Sequence, residues 1–171
     1  ERLADGAVVA VLISEPYVQI GHVQSYVLFD PRSAGARAYI ERQLERLPDA
    51  GGVLALPRAA DYFDGVDTDF PNVVQEATVK APHRGEMAGI LALRTRLRFL
   101  DDRAAVLRQI CEAFATRTGV PFVAAVTFRR GGEEIADTPA LALKFFLETS
   151  LEHLLLDDPV VEEKVGARGP V

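Results

Sequence analysis

Residues 87–100 alternate between two kinds of side chain. Leu91, Leu93, Thr95, Leu97 and Phe99 fall on one parity, and Ala92, Arg94, Arg96 and Arg98 fall on the other. A period of two belongs to a strand, so this segment predicts one apolar face backed by a face of arginines. Like charges aligned along a sheet face repel one another. They call for carboxylates on a neighbouring strand, another protein, or an anionic ligand.

Other segments read by the same logic. Residues 7–13 and 17–29 are β-rich runs separated by Glu15-Pro16, and they predict a hairpin. Asp30-Pro31 with Ser33 is helix-start chemistry. A helix over 33–47 puts Ala36, Ile40, Leu44 and Leu47 on one face, and Pro48 with Gly51-Gly52 ends it. Residues 53–56 read as a short strand. Residues 57–72 form a long irregular stretch in which Asp61, Asp64, Asp67 and Asp69 interleave with Tyr62, Phe63 and Phe70. Loops of that length in compact domains often carry function. A strand over 73–80 and a turn over 81–86 lead into the arginine segment.

Asp101-Asp102 suits the positive end of a helix over 102–118, with Leu107, Ile110, Cys111 and Phe114 inward. Gly119 and Pro121 stop it. Residues 120–129 are apolar on both faces in their middle and predict a central strand. Gly131-Gly132 suits a two-residue hairpin turn that opposes Arg130 to Glu133 and Arg129 to Glu134. Thr138-Pro139 starts a third helix, expected to reach Leu156. Leu143, Phe146, Leu147, Leu151 and Leu154 face one way, and Leu141, Phe145, Leu155 and Leu156 widen that surface. A helix so apolar is buried on two sides or meets a partner. The second option predicts a homodimer over 141–156.

The order strand–helix–strand–strand occurs at 22–80 and again at 87–136. Superposing Asp30 on Asp101 also aligns Arg32 with Arg103, Arg37 with Arg108 and Glu41 with Glu112. This suggests duplicated units with a groove between them. The expected fold is a single α+β domain over 1–159, followed by a flexible tail over 160–171. Its sheet is mixed and mostly antiparallel, with helices mainly on one face. The alternative is a ferredoxin-like core with an extra hairpin.

Composition narrows the function. The chain has 171 residues, 49% hydrophobic and 26% charged, enough for a substantial core without a disulfide or metal staple. A net charge of −6 argues against general binding to nucleic acid or anionic membranes. Cys111 is the only cysteine, so no internal disulfide forms, and a reducing, cytoplasmic setting is the default expectation. No apolar run is long enough for a membrane span.

Phosphate-loop, dinucleotide, metalloprotease and hydrolase signatures are absent from the sequence. His22, His83 and His153 lie far apart without metal-site spacing, so no metal site is expected and no cofactor is named. The aspartates of 57–72 lack the calcium-loop glycine and terminal glutamate, which favours a solvated acidic loop. The turn Lys80–Glu86 places His83, Arg84 and Glu86 together. His83 as a general base oriented by Glu86 is the enzymatic reading, and an ordinary charged turn is the plainer one. Cys111 reads as core packing.

The arginine face has three readings. It is a solvated surface balanced by Glu76, a protein or homodimer interface, or a site for a small anion held by guanidinium forks. The register decides what Glu76 meets: Arg94 if the turn centres on Gly85, Leu91 if it centres between His83 and Arg84. The binding candidates are therefore Arg94, Arg96, Arg98, Glu76, His83 and Arg84. The expected function is a non-catalytic, self-associating binding domain. The alternatives are a small-ligand sensor and a small enzyme centred on His83 and Glu86.

Overall fold

A computed structural model describes residues 1–13, 24–44, 52–90 and 95–156, together with the backbone of 160–163. Among the described residues, nine strands form the sheet. They are β1 (Val9–Ile13), β2 (Gln24–Phe29), β3 (Gly52–Ala55), β4 (Phe63–Asp64), β5 (Val74–Val79), β6 (Thr95–Phe99), β7 (Phe122–Thr127), β8 (His153–Leu156) and β9 (Val160–Glu163). Their spatial order is β4-β5-β6-β3-β7-β2-β1-β8-β9. Only β1 with β8 and β3 with β6 pair in parallel; the other neighbours are antiparallel. The fold is therefore α+β with a mixed, mostly antiparallel sheet.

Helix α1 (Ala34–Leu44) packs against β2. Helix α2 (Ala105–Thr118) lies on β3 and β7, and helix α3 (Pro139–Glu148) lies against β1 and β8. The anticipated inward residues Ala36, Ile40 and Leu44 of α1 are buried, as are Leu107, Cys111 and Phe114 of α2. Gly119 closes α2 at φ 78°, where its amide donates to the Ala115 carbonyl. A left-handed residue there favours glycine, because a Cβ would crowd the backbone. Strand β7 is central and buried through Val126, as its two-sided apolarity requires.

Several expectations change. The arginine strand is shorter than its pattern: β6 begins at Thr95, and residues 91–94 lie outside the described set. Met87 and Ile90 instead sit in a turn and bury their side chains. Gly89 donates its amide to the Pro31 carbonyl at 2.9 Å. A Cβ on Gly89 would come within 2.7 Å of that oxygen, so only glycine allows the approach.

The Gly-Gly hairpin holds one residue more than the two-residue turn. Arg129 bridges Ile135 rather than facing Glu134, and Arg130 pairs with Glu148 at 3.1 Å.

The third helix stops at Glu148, and Leu154 belongs to β8, which runs parallel to β1. Thr149 Oγ1 donates to the Phe146 carbonyl and accepts from the Leu151 amide, two local bonds that compete with helix continuation. This accounts for the surplus of leucines. Leu151 and Leu154 are buried within the chain, while Leu143 and Leu147 remain exposed on α3. Of the segment read as a tail, residues 160–163 form β9 against β8, and 164–171 lie outside the described residues.

The duplication is partly visible. Asp30 ends β2 and accepts from the Arg32 amide at 2.9 Å and from its guanidinium; Asp101 does the same after β6 with Arg103. The aligned helix residues diverge, however. Arg37 meets Glu41, whereas Arg108 meets Asp102 and Glu112 meets Arg58. Strand direction differs too. β2 and β3 run the same way with β7 between them, while β6 and β7 run oppositely with β3 between them.

A candidate anion site on the arginine face

Register assembles the site. Gly52 and Leu54 of β3 pair with Arg96 and Arg98 of β6, and Glu76 and Val74 of β5 pair with the same two arginines. Across β3, Gly52 faces Ala125 of β7, and Thr127 faces Tyr26 of β2. Because side chains alternate, all of these project from one face. Gly52 and Ala125 carry little bulk, so the middle of that face is low between taller walls. A cavity of about 140 Å³ results, lined among others by Tyr26, Gly52, Val74, Arg96, Arg98 and Thr127.

The two arginines differ sharply. Arg96 is exposed, whereas Arg98 retains only 7% of its surface. Arg98 Nη1 donates to Gln24 Oε1 at 3.0 Å, and the Tyr26 hydroxyl donates to the same oxygen at 2.7 Å. Arg98 Nε and Nη2 are buried with no hydrogen-bond partner among the described residues. A desolvated cation with a single neutral acceptor among the described residues is costly, because only pairing and full hydrogen bonding offset the hydration it has lost.

Glu76 does not supply the pairing. The register sets it opposite Arg96, not opposite Arg94 or Leu91 as the two turn models require. The connection from β5 to β6 is longer than either turn, because 81–90 fold back through a 3-10 turn and the Gly89 contact. Glu76 is exposed, and among the described residues no ion pair joins it to an arginine. Arg94 lies outside the described residues.

The turn residues point elsewhere. The His83 ring stacks on Tyr62 with centroids 4.2 Å apart, and Arg84 Nε donates to the Val79 carbonyl at 3.0 Å. Among the described residues no hydrogen bond joins the side chains of His83 and Glu86, and neither His83 nor Arg84 lines the cavity. Glu86 lies close enough to add to the effect of Asp30, whose hydrogen bond raises the Arg32 pKa.

The aspartate stretch is organised by Gln75. Its amide nitrogen donates to the Asp67 carbonyl, and its oxygen accepts from the Asp67 amide at 2.7 Å. Phe63 anchors that stretch in the core, but Phe70 is exposed. Cys111 is fully buried with Sγ 3.4 Å from the Leu54 carbonyl, and burial pushes its thiol up to about 12. It is packing, not a nucleophile.

Sequence reasoning missed Gln24, Tyr26, Gly52 and Thr127. The sequence does carry a signal: Gln24 and Tyr26 share a parity on a strand, although Gly52 looks there like no more than a helix stop.

No family model matches the sequence, and no curated protein matches it. Among solved structures, the chain is similar to part of one described as "Crystal structure of full-length HypF in the phosphate- and nucleotide-bound form". The likeness has a TM-score of 0.56 at 13% identity and covers 93% of this chain. It covers 20% of that chain, so this sequence spans about a fifth of that protein's length. At this identity the likeness concerns the fold alone. No helix among the described residues is long and apolar enough to cross a membrane.

Proposed function

We propose that this chain is a ligand-binding domain that seats the anionic group of a small molecule against Arg98. One observation carries the reading: a guanidinium 7% exposed, with two buried nitrogens unpartnered among the described residues, lines a cavity on the sheet face. A guanidinium presents paired N–H groups that match carboxylate or phosphate, and Nε with Nη2 is one such pair. Arg96 adds a second positive charge at the same cavity, and Tyr26 and Thr127 add hydroxyls.

Size limits the guest. About 140 Å³ is below the usual range for whole ligands, so the cavity takes a head group while the rest of the molecule extends outward. Residues from both strand–helix–strand–strand segments line it, which agrees with a groove between the two units. The structural neighbour is described as phosphate- and nucleotide-bound. Both are anions of the recognised class, and they enter here as probes.

Thermal unfolding with phosphate, sulfate, acetate and adenosine monophosphate tests the proposal. A ligand at a hundred times its dissociation constant stabilises the native state by about 2.7 kcal/mol. At least one of these anions should raise the melting temperature of the parent protein and leave Arg98→Met unmoved. Equal responses in both proteins, or none in either, would overturn the reading.

A further inference from the structure

A second cavity lies on the same sheet face, between α2 and strands β1, β2 and β8. It measures about 370 Å³ and is lined chiefly by apolar side chains, among them Val11, Leu28, Ile110, Phe114 and Leu155. The register explains its position. Val11 faces Tyr26 on β2 and Leu155 on β8, and Val9 faces Leu28 and His153, so these side chains share one face beneath the helix.

His153 supplies the polar point. It is 5% exposed, lines the cavity, and keeps Nδ1 buried without a hydrogen-bond partner among the described residues. Leaving a buried polar atom unpaired forfeits its hydration without return. The volume falls within the range of small-molecule sites, and the lining has their usual character: mostly apolar with a few placed polar groups.

We infer that this cavity binds a small amphiphile, its apolar body lying under α2 and one oxygen function hydrogen-bonded to His153 Nδ1. Neutral imidazole either donates or accepts at a given nitrogen, so a hydroxyl satisfies Nδ1 in both tautomers and a carboxylate satisfies it in one. The site shares no residue with the Arg98 cavity, and its failure would leave the proposal above intact.

Methyl and imidazole NMR on the full chain, titrated with 1-octanol and with sodium octanoate, provides the test. Saturable shifts should appear in Val11, Leu28, Ile110 and Leu155 methyls together with the His153 ring nitrogens. His153→Phe keeps the bulk and removes the hydrogen bond; it should weaken binding at least fivefold. Ala113→Phe sits at an exposed lining position and places a ring in the opening, which should abolish saturable binding while the fold persists. Three results would each sink the inference: no saturable shift with either probe, unchanged affinity in Ala113→Phe, or ligand-free nuclear Overhauser contacts from these methyls to another stretch of the chain.

Discussion

Arg98 Nη1 lies 3.0 Å from Gln24 Oε1, although β3 and β7 separate their strands. In a flat sheet β2 would lie about 14 Å from β6 and the register would set Gln24 six residues further along, so the contact needs a curled, twisted sheet as well as side chains that lie along the face. Small residues at 52 and 125 leave room for that. Among the described residues the arrangement fixes the guanidinium with one bond and leaves the rest of its fork to be satisfied.

Replacing the neutral acceptor by a charged one should therefore close the site from within. Gln24→Glu keeps an acceptor at the same place for Arg98 and Tyr26 and adds the missing negative charge. We expect ligand-free stability to rise by ~1–3 kcal/mol, the value of hydrogen bonds to charged groups. The stabilisation by phosphate or carboxylates should shrink in the same variant. Urea melts with and without anion measure both effects, and a Gln24→Glu protein that still responds fully to anions would contradict this account of Arg98.

Neighbouring arginines on one face should behave differently. Arg96→Ala touches an exposed side chain and should change stability by less than ~0.5 kcal/mol. Arg98→Met replaces a buried, underpaired cation with an apolar chain of similar length. Such exchanges are often neutral or stabilising by about 1–4 kcal/mol. A large loss of stability in Arg98→Met without anion, read from chemical denaturation, would mean that the guanidinium is already well paired.

That contrast shows where the sequence was legible. Period-two alternation placed Arg96 and Arg98 on one face correctly, because alternation is a local property of the strand. It gave no depth, since burial of Arg98 depends on strands that arrive from elsewhere in the chain. Asp30 and Asp101 were readable as helix starts for the same local reason, whereas their bonds to Arg32 and Arg103 emerge only from the structure. Register was not readable. Glu76 met Arg96 because the 81–90 segment folds back on Pro31, a contact between distant parts of the chain. Leu151–Leu156 misled because a short apolar run fits helix and strand equally, and pairing with β1 decided between them.

The boundary between α3 and β8 makes a direct test. In one continuous helix, Leu147 and Leu154 would lie on the same face and respond alike to truncation. Here Leu147 is 63% exposed and Leu154 is fully buried. Leu154→Ala should cost about 2–5 kcal/mol, as buried leucine truncations do. Leu147→Ala should stay within ~0.5 kcal/mol. Equal losses in the two variants by urea denaturation would restore the continuous helix.

Asp101 makes stability depend on pH in an acidic window. Its carboxylate accepts from Arg103 Nε at 2.7 Å, from Asn72 Nδ2 at 2.6 Å and from the Arg103 amide at 2.9 Å. These bonds favour the ionised form, Arg103 foremost, and hold its pKa at about 2 against an ordinary 3.8. A depressed carboxylate pKa means that the unfolded chain takes up the proton first. The contribution of Asp101 is therefore complete above pH 4 to 5 and declines as pH falls from about 4 toward 2. Asp101→Ala removes a capping side chain and should cost about 1 kcal/mol at neutral pH. The gap between parent and variant should hold steady from pH 7 to 5 and narrow by pH 2.5, measured by urea melts across the series. A gap that stays constant down to pH 2.5 would show that Asp101 acts by shape rather than by charge. A gap that widens in acid would have the wrong sign for any carboxylate stabilised in its ionised form.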